Sequence, residues 1–139
     1  MSNLVFADSS GLIAKALEGD PQHRIADHEI RRILRQGQRF MTSNYVFDET
    51  VTRVQRLTSH SRAAQVGDWI LSSRVIQRIY IDEELESASW KLFLKYNDQN
   101  LSFTDASTIV IMKRFEIDEI FTFDSDFERV GHSRIPHAS

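Results

Sequence analysis

The sequence contains no cysteine. Disulfides and thiolate metal sites are therefore excluded, and any bound metal has to be held by oxygen or imidazole. Proline and glycine are scarce, at two and five in 139 residues, which excludes collagen-like and low-complexity chains. No apolar run is long enough to cross a bilayer. The opening residues, MSNLVFADSS, carry neither a basic segment nor a long apolar stretch, so no export signal is expected there. Together with the missing thiols, this fits a cytoplasmic protein with no membrane partner. An excess of basic charge is also lacking: the formal net charge is −3, unfavourable for a polyanionic partner. Setting four of the 20 acidic residues aside as ligands of a divalent cation leaves 17 basic residues against 16, so the acidity does not exclude nucleic acid.

What is present is ordinary globular material. With 41% hydrophobic and 27% charged residues, the chain is expected to form one domain spanning residues 1–139 with a real core. The apolar run LVFA (4–7) reads as a buried strand ending at Asp8. SSGLIAKALEG (9–19) reads as a short helix closed by Gly19. Residues 22–36 place Ile25, Ile30, Ile33 and Leu34 at helical spacing, and Gly37 ends that helix. RFMTS (39–43) is a second strand, followed by a helix over 44–57 with Asn44 as N-cap and an apolar stripe of Phe47, Val51, Val54 and Leu57. Residues 62–73 continue helical, and VIQRIYI (75–81) is rich in β-branched residues and reads as a strand. A helix over 82–97 opens with acids in its first turn and presents Leu85, Trp90, Phe93 and Leu94. A further helix spans 101–115, EIFTF (119–123) is a strand, DSDFERVG is a turn, and SRIPH ends in a strand stub. Strands alternating with helices predict an α/β domain with a central parallel sheet of four or five strands between helical layers.

In such a sheet, ligands gather outside the carboxyl ends of the strands. Asp8 follows the first strand directly, Asp124 follows EIFTF, and Asp126 lies two residues further on. Glu49 sits in the second turn of the helix after RFMTS, and Asp105 in the first turn of the helix before EIFTF. A helix leaving a strand end starts at that edge, and the helix preceding EIFTF runs antiparallel to it, so its N-terminus returns there too. Each acid also has an ordinary reading: Asp8 as an N-cap, Asp105 as partner of Ser102 in a capping box, Asp124 and Asp126 as turn residues, Glu49 as a solvated helix residue. Taken together, unpaired carboxylates at one edge repel and raise one another's pKa values, and a divalent cation removes that conflict. All-oxygen ligation suits Mg²⁺ or Mn²⁺. The chemistry that follows is hydrolysis of a phosphodiester by a metal-activated water, with Asp8, Glu49, Asp105 and Asp124 as catalytic and metal-binding residues and Asp126 as a weaker ligand for a second ion. Arg53 and Arg56, one and two turns beyond Glu49, could meet phosphate, although solvated arginines are equally ordinary there. His132 and His137 near the C-terminus could hold a metal but read better as an exposed tail.

The strings FADSSGLIA, TSNYVFDETVT, LSFTDASTIVIMKR and FTFDSDF, in this order and spacing, resemble the PIN domain family, and within it the toxin ribonucleases of VapC type. The resemblance runs nearly end to end. It implies a three-layer α/β/α PIN-like fold and cleavage of RNA dependent on Mg²⁺ or Mn²⁺. It places the family's acidic quartet on Asp8, Glu49, Asp105 and Asp124, a further acid on Asp126, and small hydroxyl positions beside the acids on Ser10 and Thr104, which join Arg53 and Arg56 as candidate RNA contacts. It also implies a small antitoxin protein as partner, and a homodimer. The same family includes RNA-processing nucleases with no toxin role and silent modules that only bind RNA or protein, and both stay open as alternatives. A phosphoacceptor receiver domain fits less well, because no lysine follows EIFTF and Glu49 lies inside a helix. A haloacid dehalogenase-type phosphatase needs its D-x-D motif after the first strand, whereas DSD stands near the end of this chain.

Overall fold

The structure, a computed structural model, describes residues 3–97, 100–129 and 133–136; His132 and His137 lie outside them. Five strands form one sheet: β1 (Leu4–Ala7), β2 (Arg39–Ser43), β3 (Ile76–Ile79), β4 (Glu119–Phe121) and β5 (Ser133–Ile135). Their order is β3-β2-β1-β4-β5, and each neighbouring pair is parallel. The helices are α1 (Ser9–Ala16), α2 (His23–Arg35), α3 (Asn44–Leu57), α4 (His60–Ser72), α5 (Glu83–Lys95), α6 (Phe103–Arg114) and the one-turn α7 (Asp126–Arg129). The α/β class, the parallel sheet and its five strands are as the sequence predicts.

The strand order explains where a site can form. From β1 the chain winds outward through β2 and β3, then returns to place β4 and β5 on the other side. The connections therefore diverge between β1 and β4, and such a switch point opens a crevice at the carboxyl edge. The sheet itself is apolar because helices cover it. Val5, Phe6, Ala7, Phe40, Met41, Ile120 and Phe121 are almost wholly buried, and each large side chain among them contributes roughly 1.5–3 kcal/mol by leaving water.

Two details hold the crevice together. First, β1 and β2 pass into their helices without a loop, so the caps fall on the strand ends. Ser43, the last residue of β2, accepts the Val46 amide at 3.1 Å. This displaces Asn44 from the capping role the sequence predicts; its Oδ1 accepts the Ile81 amide at 2.6 Å instead. Second, Gly11 in the first turn of α1 lies against the end of β4. A Cβ there would come within 2.6 Å of the Phe121 ring and 2.7 Å of its carbonyl oxygen. Only glycine permits this approach, which brings the residues after β1 beside those after β4.

Several local expectations are corrected. Helix α1 ends at Ala16 with Leu17 as its C-cap, not at Gly19. DSDFERVG contains α7 rather than a bare turn, because Asp124 Oδ1 accepts the Asp126 amide at 2.9 Å and starts that helix. The buried line of α3 is Val46, Thr50 and Val54, while Leu57 is 64% exposed. On α5, Leu85 and Ser89 are buried, and Trp90 and Leu94 face outward. Ile25 of α2 is also exposed. Periodicity finds an apolar stripe but does not say which residue of the stripe meets the sheet.

Candidate metal centre

Four carboxylates, Asp8, Glu49, Asp105 and Asp124, line one cleft of about 410 Å³ at the carboxyl edge, together with Ser9, Ser10, Ser102, Arg53 and Phe123. Each acid is presented by a different device. Asp8 occupies the N-cap position of α1 with extended backbone, yet its side chain makes no cap hydrogen bond. Its own amide continues the β1–β4 ladder, donating to the Phe121 carbonyl at 3.0 Å. The carboxylate turns to Thr122, whose hydroxyl donates to Oδ2 at 2.8 Å. Oδ1 is buried and, among the described residues, has no hydrogen-bond partner. An orphaned buried carboxylate oxygen costs free energy unless something else completes it.

Asp105 is held differently. Ser102 Oγ accepts the Asp105 amide at 3.0 Å, and Asp105 Oδ2 accepts the Ser102 amide at 3.1 Å, a complete capping box. The helix-capping reading and the site reading of Asp105 are therefore both true: the box fixes the carboxylate while it faces the cleft. Asp124 is fixed by the start of α7, as described, and its amide donates to the Thr122 hydroxyl at 3.0 Å. Glu49 projects from the second turn of α3 and accepts a hydrogen bond from the Ser9 hydroxyl.

The electrostatics show a site the protein leaves uncompensated. Burial, and next the negative charge of Asp105, push the Asp8 carboxyl up to about 7 despite the hydrogen bond from Thr122. Burial pushes Asp105 up to about 6; its bonds with Ser102 oppose the shift, and Asp124 and Glu49 add to it. Among the described residues, Arg53 is the one basic side chain lining the cleft.

The donor set is four carboxylates with no nitrogen or sulfur, which suits a hard cation with oxygen ligands. Among the described residues, no three of these groups already converge closely enough to form a ready-made ligand set. The bare Asp8 Oδ1 and the raised carboxyls nonetheless fit a divalent cation. Binding one requires side chains to turn inward, Glu49 from its bond with Ser9 among them.

The remaining expected site residues divide. Ser10 reaches the cleft wall, but its Oγ accepts the Phe123 amide at 2.9 Å and pairs with Thr122 Oγ1 at 3.0 Å, so it clasps α1 to the end of β4. Asp126, Arg56 and Thr104 do not line the cleft. Asp126 opens α7, with its amide committed to Asp124. Arg56 is seven residues beyond Glu49, roughly 10 Å further along the helix axis. Thr104 lies about 100° round the helix from Asp105. Two groups are not anticipated from sequence. Thr122, fully buried, serves both Asp8 and Asp124. Ser9 serves Glu49. Their only sequence signal is a hydroxyl within two residues of an acid at a strand end.

A parallel α/β/α sheet with carboxylates gathered at its switch point is the class these observations define. The chain belongs to the PIN domain family, whose model matches residues 5–133. It is 30% identical over 128 residues to the 23S rRNA-specific endonuclease VapC20 of Mycobacterium tuberculosis, covering 92% of this chain and 95% of that protein. The crystal structure of VapC20, described as a sarcin-ricin loop cleaving toxin, superposes with a TM-score of 0.81 at 28% identity, over 92% of this chain and 95% of that one. Two more distant structures share the fold. They are VapBC2 from Rickettsia felis bound to a promoter DNA fragment (TM-score 0.67, 12% identity, 92% and 93% covered) and a toxin-antitoxin complex from Klebsiella pneumoniae (TM-score 0.63, 16% identity, 91% and 92% covered).

Proposed function

We propose that this chain is a metal-dependent endoribonuclease that hydrolyses RNA phosphodiester bonds and acts as the toxin of a toxin–antitoxin pair. The observation that carries the chemistry is the convergence of Asp8, Glu49, Asp105 and Asp124 on one cleft, with Asp8 Oδ1 buried and unpartnered. Mg²⁺ or Mn²⁺ held there supplies a water of lowered pKa and positive charge beside the phosphate. The chain's own part is positioning. Thr122 fixes one oxygen of Asp8 and leaves the other for the ion. The capping box presents Asp105 from the start of α6, and the start of α7 presents Asp124. Glu49, on α3, is placed to orient the attacking water or complete the ligand set. No side-chain nucleophile is needed.

The toxin role rests on likeness to VapC20 over nearly the whole chain. A small antitoxin is the partner this reading assigns, with the cytoplasm as its place of action. Among the described residues, no helix is long and apolar enough to cross a membrane. A second copy of the chain is assigned to the aromatic group on α5 and the first turns of α3 and α6, in which Trp90 is exposed and Phe93, Phe103 and Tyr45 are half-buried. There Trp90 stacks on Phe93 at 5.6 Å, and Phe103 touches Trp90, Phe93 and Tyr45 at 6.0–6.2 Å.

The test incubates ribosomal RNA with the purified protein and Mn²⁺ or Mg²⁺. Cleavage by the wild type that EDTA stops and that Asp105→Asn lacks is the expected result. Equal cleavage by both proteins, or cleavage indifferent to EDTA, overturns the nuclease reading. Expression in the absence of any neighbouring gene is expected to arrest growth, and Asp8→Asn to relieve the arrest. A harmless wild type that still cuts RNA points instead to a processing nuclease.

A further inference from the structure

Ser9 is the first residue of α1, 2% exposed, and its hydroxyl stands between two cleft residues that belong to α3. It donates its single proton to Glu49 Oε1. A hydroxyl that donates once still has lone pairs to accept with, and Arg53 Nη1 approaches Ser9 Oγ at 3.4 Å. Glu49 and Arg53 are one helical turn apart and of opposite charge, yet their contact runs through the serine. Among the described residues Arg53 forms no ion pair and has this one long hydrogen bond. Its guanidinium carries five donors in a planar fork, so nearly all of that capacity is unspent in a cleft whose other charged lining is four carboxylates among the described residues.

An exposed arginine that avoids four nearby carboxylates and lines the same cleft has the chemistry to meet an incoming anion. We propose that Arg53 takes a non-bridging oxygen of the substrate phosphodiester, and that Ser9 is the positioning residue coupling this anchor to Glu49. The proposal rests on the ribonuclease reading above. Phosphate binding draws Arg53 toward the substrate and away from Ser9. Release of Glu49 from the same hydroxyl frees its Oε1 for the ion or the water, so anchoring of RNA and completion of the acidic set are linked through one side chain. Ser9 touches neither substrate nor ion.

The experiment separates binding from cleavage. A labelled RNA hairpin is titrated with Asp8→Asn protein in Mg²⁺, which keeps the RNA intact, and then with Asp8→Asn/Arg53→Ala. Loss of one charged phosphate contact is expected to weaken binding about tenfold and to lower the slope of log affinity against log salt by about one. Unchanged affinity and slope overturn the anchor. If the wild type cuts no RNA under any metal, the ribonuclease reading fails while this binding measurement still stands on its own. For Ser9, single-turnover cleavage and Mn²⁺ binding by calorimetry are compared in Ser9→Ala, Ser9→Thr, Arg53→Ala and the double variant Ser9→Ala/Arg53→Ala, each checked for a wild-type melting curve. Ser9→Ala is expected to slow cleavage about tenfold and to change Mn²⁺ affinity, because Glu49 loses its restraint. Ser9→Thr, which keeps the hydroxyl, is expected to restore both. The double variant is expected to lose less than the two singles combined, since the coupled contact is lost only once. Strict additivity, or a Ser9→Ala protein with normal cleavage and normal Mn²⁺ affinity, overturns the coupling.

Discussion

Two aspartates, one starting α1 and one paired with Lys15 in its last turn, show how differently one residue type is treated. Asp27 on α2 accepts hydrogen bonds from Lys15 and from Arg31 at 2.9 Å, and these partners hold its carboxyl down at about 2. Asp8 is buried beside other carboxylates, has one oxygen bonded to Thr122 and the other without a hydrogen-bond partner among the described residues, and stands at about 7. The first is an acid the chain neutralises with its own bases on a solvated face, where such pairs contribute little to stability. The second is an acid the chain refuses to neutralise, in a place where that refusal is costly. Perturbed carboxylates of the second kind mark functional sites, and the contrast lies in partners supplied or withheld rather than in the residue.

The largest expected effect sharpens this difference. Asp8→Asn is expected to lower single-turnover RNA cleavage by about a thousandfold or more, on the scale of losing one preorganised charged group, whereas Asp27→Asn leaves the rate unchanged. Comparable losses in the two variants would erase the distinction. Next in size is the response to cation. Mn²⁺ in large excess over its dissociation constant is expected to raise the melting temperature of the wild type through preferential binding to the folded state. It is expected to do so much less in Asp8→Asn, and Asp27→Asn is expected to behave as wild type. A smaller effect is read by pH in EDTA. Asp8 and Asp105 have folded pKa values of about 7 and about 6, both raised above the ordinary aspartate value of 3.8. Between those limits the folded chain holds protons that the unfolded chain has released, so stability falls as pH rises from about 4 to about 7. Asp27 has the opposite sign: its lowered value adds stability that is present above the unfolded value and is lost as pH falls toward about 2. A melting temperature in EDTA that climbs steadily from about pH 5 to about pH 8 would show that the cleft acids are compensated after all. Smallest is the change in thermal stability from Asp27→Asn itself, a slight decrease at neutral pH.

Much of this was legible in the chain. The strands announced themselves as short apolar runs, and RFMTS followed by NYVFDETVTRVQRL located β2 and α3 to the residue. Asp8, Glu49, Asp105 and Asp124 could be named because each sits at a fixed offset from a strand end or helix start, and a parallel sheet brings all such positions to one edge. What stayed hidden depends on contacts between distant parts of the chain. Thr122 reads as a polar residue between two phenylalanines until Asp8 arrives beside it from 114 positions away. Gly11 reads as a helix weakener until Phe121 is packed against it. Trp90 and Leu94 belong to the apolar face that periodicity reports, and periodicity is silent on whether a neighbour covers it. Helix α7 is only four residues long and is started by the Asp124 side chain, too small a signal for any pattern.

The pairing of β1 with β4 has a consequence during synthesis. β1 is made well before β4, and Asp8 gains the hydroxyl of Thr122 only when the segment 114 positions later has emerged. A nascent chain that has reached β3 therefore carries Asp8 and Glu49 alone, and the acidic set closes only when α6 and the end of β4 join them.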